Sequence, residues 1–116
     1  MPSFVTVGAL SAALAVALGA FGAHALKHLP PDRLGWWETA SRYHLAMALA
    51  TLIFGVIRLH KPGGSLPALL LTVGTLLFSG SLYAMTLGAP RWLGAITPLG
   101  GLSMIAGLLA LAFSAR

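Results

Sequence analysis

The chain has 116 residues, of which 58% are hydrophobic and only 8% charged, and it carries a formal charge of +5. A soluble domain has about 25% charged residues, so a water-soluble fold is excluded, and the basic excess is better read as headgroup contacts and topology signals than as a nucleic-acid surface. The chain lacks cysteine, which removes any disulfide framework or thiolate metal site.

Four segments are long, apolar and nearly uncharged: Phe4 to Leu26, Tyr43 to Ile57, Leu66 to Leu87 and Pro98 to Ala115. A hydrocarbon core of about 30 Å needs roughly 20 helical residues; three segments reach that length, and the second does so when extended back to Thr39. The expected fold is an all-α membrane protein with four transmembrane helices, over about 4–26, 39–59, 66–88 and 98–115, forming a single domain over 1–116. The first segment ends in Ala23-His24-Ala25, which mimics a signal cleavage site. No basic residue precedes it, and a run of about 20 residues exceeds the 7 to 15 of a signal core, so it reads as a retained span.

Helix 1 is built for close packing. From Gly8 to Ala23 it is mostly Gly, Ala and Ser, and Ser11, Ala15, Gly19 and Ala23 form a small-residue ladder at i, i+4. Helices in lipid associate largely through small side chains that let backbones approach, so helix 1 is expected to be the most enclosed. Its few large aliphatic residues contribute about −0.3 to −0.6 kcal/mol each, so it inserts marginally and needs neighbours.

The first connection, KHLPPDRLGWWETASR over residues 27–42, is the stretch densest in polar groups. Pro30-Pro31 ends helix 1 or its extension, and Asp32 falls in the first turn of a new helical stretch, where a carboxylate suits the helix dipole. Trp36 and Trp37 belong at the headgroup level, which predicts a short interfacial helix leading into helix 2. Glu38 and Arg42 are spaced i, i+4 in the favourable order for an ion pair. His24, Lys27, His28, Asp32, Glu38, Arg42, Tyr43 and His44 therefore gather at one bilayer edge. Intramembrane ionisable groups are functional candidates by default.

His24 reads most simply as a hydrogen-bond donor to helix 2. With His28 it also has the i, i+4 spacing for sharing a metal, but a usable site needs a third ligand converging from His44, Asp32 or Glu38, so no metal or cofactor is assigned.

HKPGGSLP, residues 60–67, is a plain turn with Ser65 as a helix cap. Helix 3 follows, with a shorter ladder of Gly80, Ala84 and Gly88 that meets helix 1 or a second copy, and with Ser79, Ser81, Tyr83 and Thr86 distributed around it. The Tyr83 phenol needs a partner from helix 4 or helix 1. Thr97 and Pro98 read as N-cap and first residue of helix 4. With four spans, the 27–42 and 88–97 connections share one face, and all three tryptophans lie on it. The basic residues divide four to three between faces, which leaves orientation open under the positive-inside rule.

GAFGAHALK at 19–27, the pattern of Trp37, Thr39, Ala40 and Tyr43, FSGSLY at 78–83 and TPLGG at 97–101 occur in one order across nearly the whole chain. Together they resemble the small four-span YgdD-like family, which includes the eukaryotic transmembrane protein 256-like proteins, a domain of unknown function. The resemblance marks Gly19, Phe21, Gly22, His24, Lys27, Thr39, Tyr43, Ser79, Gly80, Ser81, Tyr83, Thr97, Pro98 and Gly101 as family-motif positions. Where relatives continue helix 2 as Tyr-Gln-x-x-His-Ala-Leu, this chain has Tyr43, His44 and Met47, so the helix 2 histidine is displaced or lost. The resemblance implies an integral protein of the bacterial inner (plasma) membrane.

Three function classes follow. The leading expectation is a structural or accessory membrane component that is not an enzyme, embedded in the lipid bilayer, forming a homo-oligomer or joining a larger membrane complex, with no nucleic-acid partner. A minimal proton-linked transporter or channel would have to use His24, because both acids, Asp32 and Glu38, lie outside the spans. A membrane enzyme acting on lipid or quinone would draw on His24, Glu38 and Tyr43. No nucleophile–base pair is recognisable in the sequence.

Overall fold

Residues 3–116 are described by a computed structural model, which consists of four long helices in sequence: α1 Phe4–Ala25, α2 Pro31–His60, α3 Leu66–Thr86 and α4 Thr97–Ser114. All four are long and apolar enough to cross a membrane. Ser3 opens α1, accepting the Thr6 backbone N–H on its hydroxyl at 3.1 Å.

The separate interfacial helix expected before helix 2 is not present. Residues Pro31–His60 run as one helix of 30 residues, with Pro31 at its start and Asp32 in its first turn. Such a helix is about 45 Å long, some 15 Å more than the hydrocarbon core, so the Trp-bearing segment is its projecting first part. The physical reason is the lack of a break: no proline follows Pro31 there, and Gly35 costs only about 1 kcal/mol against the backbone hydrogen bonds that a continuous helix keeps.

Helix α3 stops two residues earlier than expected. Gly88 has φ +112°, and the Ala89 N–H donates to the Ala84 carbonyl at 2.9 Å, the left-handed glycine stop that closes a helix end. Gly88 is therefore a terminator and no part of a packing ladder. A short 3-10 helix, Arg91–Ala95, leads into α4. Neither Ser65 nor Thr97 supplies a side-chain cap; α4 begins at Thr97 itself.

The helices pack in single file, α1 on α2, α2 on α3 and α3 on α4, with α2 and α3 most buried and α1 and α4 largely exposed. Helix 1 is thus the least enclosed of the four, contrary to the expectation from its small residues. Those residues serve one seam only. Gly8, Ala15 and Gly22 are its buried positions, a seven-residue recurrence, which is the period of left-handed crossings. At Gly8 an added Cβ would stand 2.5 Å from the Leu52 nitrogen and 2.8 Å from the Ala48 carbonyl. Gly55 is as close to the backbone of Val5, so the two helices touch backbone to backbone at this end. The α3–α4 pair is built alike: a Cβ on Gly74 would lie 2.9 Å from the Gly100 carbonyl.

The first and third connections share a face, as parity requires. Asp32 and Arg91 approach to 4.0 Å, and the Arg91 guanidinium lies 5.5 Å from the Trp36 ring centre. On the opposite face Arg58 donates to the Gly64 carbonyl at 2.9 Å and to Ser114 at 3.4 Å, tying the second connection to the end of α4.

Candidate functional site

One stripe of α2 carries the polar chemistry: Trp37, Ser41, His44 and Thr51 recur at helical spacing, and the stripe faces both α1 and α3. His44 is buried at its centre. Its Nε2 lies 3.1 Å from the Ser11 hydroxyl on α1, and its Nδ1 lies 3.0 Å from the Tyr83 hydroxyl on α3. Tyr83 in turn donates to Ser41 at 3.4 Å. A neutral imidazole has one N–H and one lone pair, and both partners are hydroxyls able to donate or accept. Because the single Tyr83 proton goes to Ser41, Nδ1–H donates to Tyr83 and Nε2 accepts from Ser11, so the chain runs one way, from Ser11 to His44 to Tyr83 to Ser41.

Helix–helix bonds flank this chain. The Trp37 indole N–H donates to the Leu18 carbonyl at 2.7 Å, Ser79 donates to the Ala40 carbonyl at 2.8 Å, and Thr86 reaches the Arg33 carbonyl at 3.2 Å. Trp37 stacks edge-on with Tyr83 at 4.6 Å and covers Gly22, where a Cβ would collide with the indole. Trp37 is therefore buried within the protein at this end of α2. A ring carrying one N–H is held well where its single donor has a carbonyl to meet.

The histidine foreseen as the link between helices 1 and 2 is not the one that makes it. His24 is exposed on the side of α1 turned away from α2, and among the described residues it makes no side-chain hydrogen bond. Lys27, His28 and Arg42 are likewise exposed, and Glu38 and Arg42 form no ion pair; the Asp32–Arg91 approach replaces it. Among the described residues no three His, Asp or Glu side chains come together. Tyr43 is 44% exposed and lies edge-on to Phe78 at 5.0 Å, away from the polar chain. Tyr83 takes its partners from α2, not from helix 4 or helix 1.

The remaining motif positions divide between packing and surface. Gly22 accepts the Trp37 ring, Phe21 leans on that ring at 5.9 Å, and a Cβ added to Gly19 would lie 3.8 Å from Ser41. Ser81 bonds Thr97 at 2.6 Å, joining α3 to the start of α4, while Gly101 lies against Phe78. Thr39 is half-buried and Pro98 exposed. Of the two ladders, Ser11 and Ala15 face α2, Ala23 is exposed, Ala84 is half-buried, and nothing lies within 4 Å of a Cβ on Gly80. The packing glycines Gly74, Gly100 and Gly107 and the donor Trp37 were not anticipated. Their signal was available: Gly100 and Gly107 repeat the seven-residue spacing of Gly8, Ala15 and Gly22.

Because α1 and α3 both lean on α2 without closing on each other, a groove of about 430 Å³ remains between them. Leu10, Leu14 and Leu76 form its apolar walls, and Ser11, His44 and Tyr83 lie in its floor. A smaller cleft of about 220 Å³ lies nearer the bilayer edge, lined by Gly22, Trp37, Glu38 and Ser41.

The family model described as a protein of unknown function, DUF423, matches residues 18–101, which contain the whole α2 polar stripe. The chain belongs to the DUF423 family. Within it, the chain is 43% identical to the UPF0382 membrane protein YwdK of Bacillus subtilis over 109 residues, covering 90% of this chain and 89% of that one. It is 42% identical to a UPF0382 membrane protein of Staphylococcus haemolyticus over 116 residues, covering 98% and 95% of the two chains. A Haemophilus influenzae UPF0382 membrane protein is 38% identical over 112 residues, covering 95% and 90%. No solved structure matches. Four membrane-crossing helices and bacterial relatives named as membrane proteins make this DUF423 protein an integral protein of the bacterial inner (plasma) membrane.

Proposed function

We propose that this DUF423 protein is a non-catalytic accessory component of the membrane that associates, through the outward face of α1, with copies of itself or with a larger membrane complex. One observation carries the reading. With Gly8, Ala15 and Gly22 used against α2, the opposite face of α1 presents Thr6, Ala9, Ala13, Ala17, Ala20 and His24, all exposed. Ala9, Ala13 and Ala17 are an unbroken small-residue series at i, i+4, the pattern that lets a second helix come close in lipid. A helix rich in small residues and held by a single neighbour gains most from another partner, because van der Waals packing between helices is what replaces lipid contact. His24, at the end of this face, would then meet the partner. In this reading it serves as an interhelical hydrogen-bonding group, not as a proton carrier.

The test compares the native protein with Ala13→Leu and Ala17→Leu, extracted in native-membrane discs at natural expression and weighed by mass spectrometry. The expected result is an assembly in the native sample and a single chain of unchanged helical content in both variants. An assembly of the same mass in the variants would overturn the proposal. The transport reading through His24 draws no support from the geometry, since that side chain lies outside the groove and on the far side of α1 from the polar chain.

A further inference from the structure

We infer that the groove between α1 and α3 is a binding site for an uncharged, single-chain lipophile bearing a hydroxyl group, of the long-chain alcohol or isoprenol class. Its dimensions select the chain. The α1 wall runs from Val7 to Leu18, about 16 Å at 1.5 Å per residue. A volume of about 430 Å³ over that length gives a mean cross-section of about 27 Å². A groove of that width takes one hydrocarbon chain along its length, whereas a helix about 10 Å across could lie only over its mouth. No Lys, Arg, Asp or Glu lines it, which disfavours an ionic headgroup within it.

Its floor selects the hydroxyl. Among the described residues the Ser11 side chain makes a single hydrogen bond, to His44. Ser11 donates in that bond, because Tyr83 gives its proton to Ser41 and leaves Nε2 as the acceptor, so the Ser11 lone pairs stay free. A ligand hydroxyl can donate to those lone pairs, whereas a carbonyl or a hydrocarbon cannot. Across the groove, Thr51 and Thr75 spend their protons on the Met47 and Leu71 carbonyls of their own helices. Thr72, which also lines the groove, makes no side-chain hydrogen bond among the described residues. The registers place it near the depth of Ser11: Gly8 meets Leu52 and Gly22 meets Trp37 along α1–α2, while Ser79 bonds Ala40 and Thr86 reaches Arg33 along α2–α3. Two hydroxyls with spare capacity thus line one apolar groove, one from α1 and one from α3, the arrangement of a lipophilic pocket with few convergent polar groups.

Gly80 keeps the groove open. It lines the wall, and a Cβ there would meet nothing within 4 Å, so a larger side chain enters the groove without displacing the fold.

The test uses the full chain in phosphatidylcholine vesicles with a diazirine-bearing hexadecanol, photolysed and mapped by mass spectrometry. Labelling is expected to concentrate on Leu10, Leu14 and Leu76 relative to the lipid-facing Ile105, and unlabelled hexadecanol is expected to compete about three- to tenfold better than hexadecane, the factor one membrane hydrogen bond supplies. Gly80→Leu removes the groove labelling and leaves that at Ile105, Leu14→Trp does the same from the other wall, and Ser11→Ala abolishes the advantage of the alcohol. Equal labelling of groove and Ile105, or groove labelling unchanged in both blocking variants, would overturn the assignment. So would efficient cross-linking between copies through cysteines at positions 14 and 76, which would make the occupant a helix.

Discussion

The imidazole Nδ1 of His44 and the hydroxyl of Tyr83 lie 3.0 Å apart, and the same imidazole reaches Ser11 with its other nitrogen. One side chain of α2 therefore holds both neighbouring helices. Replacing His44 by Ala is expected to cost about 1 to 3 kcal/mol, two interhelical bonds at the modest values measured in membranes. Tyr83→Phe, which removes the His44 bond and the longer one to Ser41, should cost a comparable amount or somewhat less. Unfolding by steric trapping in lipid measures both, and a double-mutant cycle between the two positions should show positive coupling. Zero coupling would mean that the bond contributes nothing in the bilayer.

His24→Ala should leave stability within about 0.5 kcal/mol of the parent, because the side chain is exposed and unbonded within the chain. The contrast with His44→Ala under one assay is the informative quantity. Equal losses in the two variants would place His24 in a contact that the single chain does not contain.

Gly8→Leu and Gly100→Leu should each cost about 3 kcal/mol or more, since a Cβ would press on backbone atoms of Leu52 or Phe78 that cannot move independently of their helices. Gly80→Leu should be nearly neutral. Differential protease sensitivity of the reconstituted proteins ranks the three, and comparable sensitivity in all would show that the helices separate readily.

Trp37→Phe keeps an aromatic ring over Gly22 but leaves the Leu18 carbonyl without its donor. A loss of about 1 to 2 kcal/mol is expected, from a bond near 0.6 to 1.7 kcal/mol plus reduced ring area. The parent's tryptophan emission should also be partly blue-shifted and resistant to aqueous quenchers, with a Trp37→Phe variant lacking that component. Full quenching in the parent would put Trp37 at the headgroups.

Cysteines at positions 32 and 91 should react with an impermeant maleimide from one side of the membrane, and a cysteine at 62 from the other. The three are expected never to label together from a single side.

The residues by themselves determined the four spans, the shared face of the first and third connections and membership of a small-membrane-protein family, because hydrophobic length, charge placement and helix count are properties of a linear chain. The merging of the interfacial segment into α2 was nearly legible, since nothing between Pro31 and Thr39 stops a helix. Which polar groups meet was not. His24 and His44 read alike in sequence, each a histidine near a span, but the rotation and register of α1 on α2 are set by Gly8 against Leu52 and Gly22 under Trp37. Those contacts turn Ser11 toward His44 and His24 away. The groove likewise exists only because α1 and α3 both rest on α2 without touching through their length, an outcome of pairwise packing in three dimensions that no spacing along one helix records.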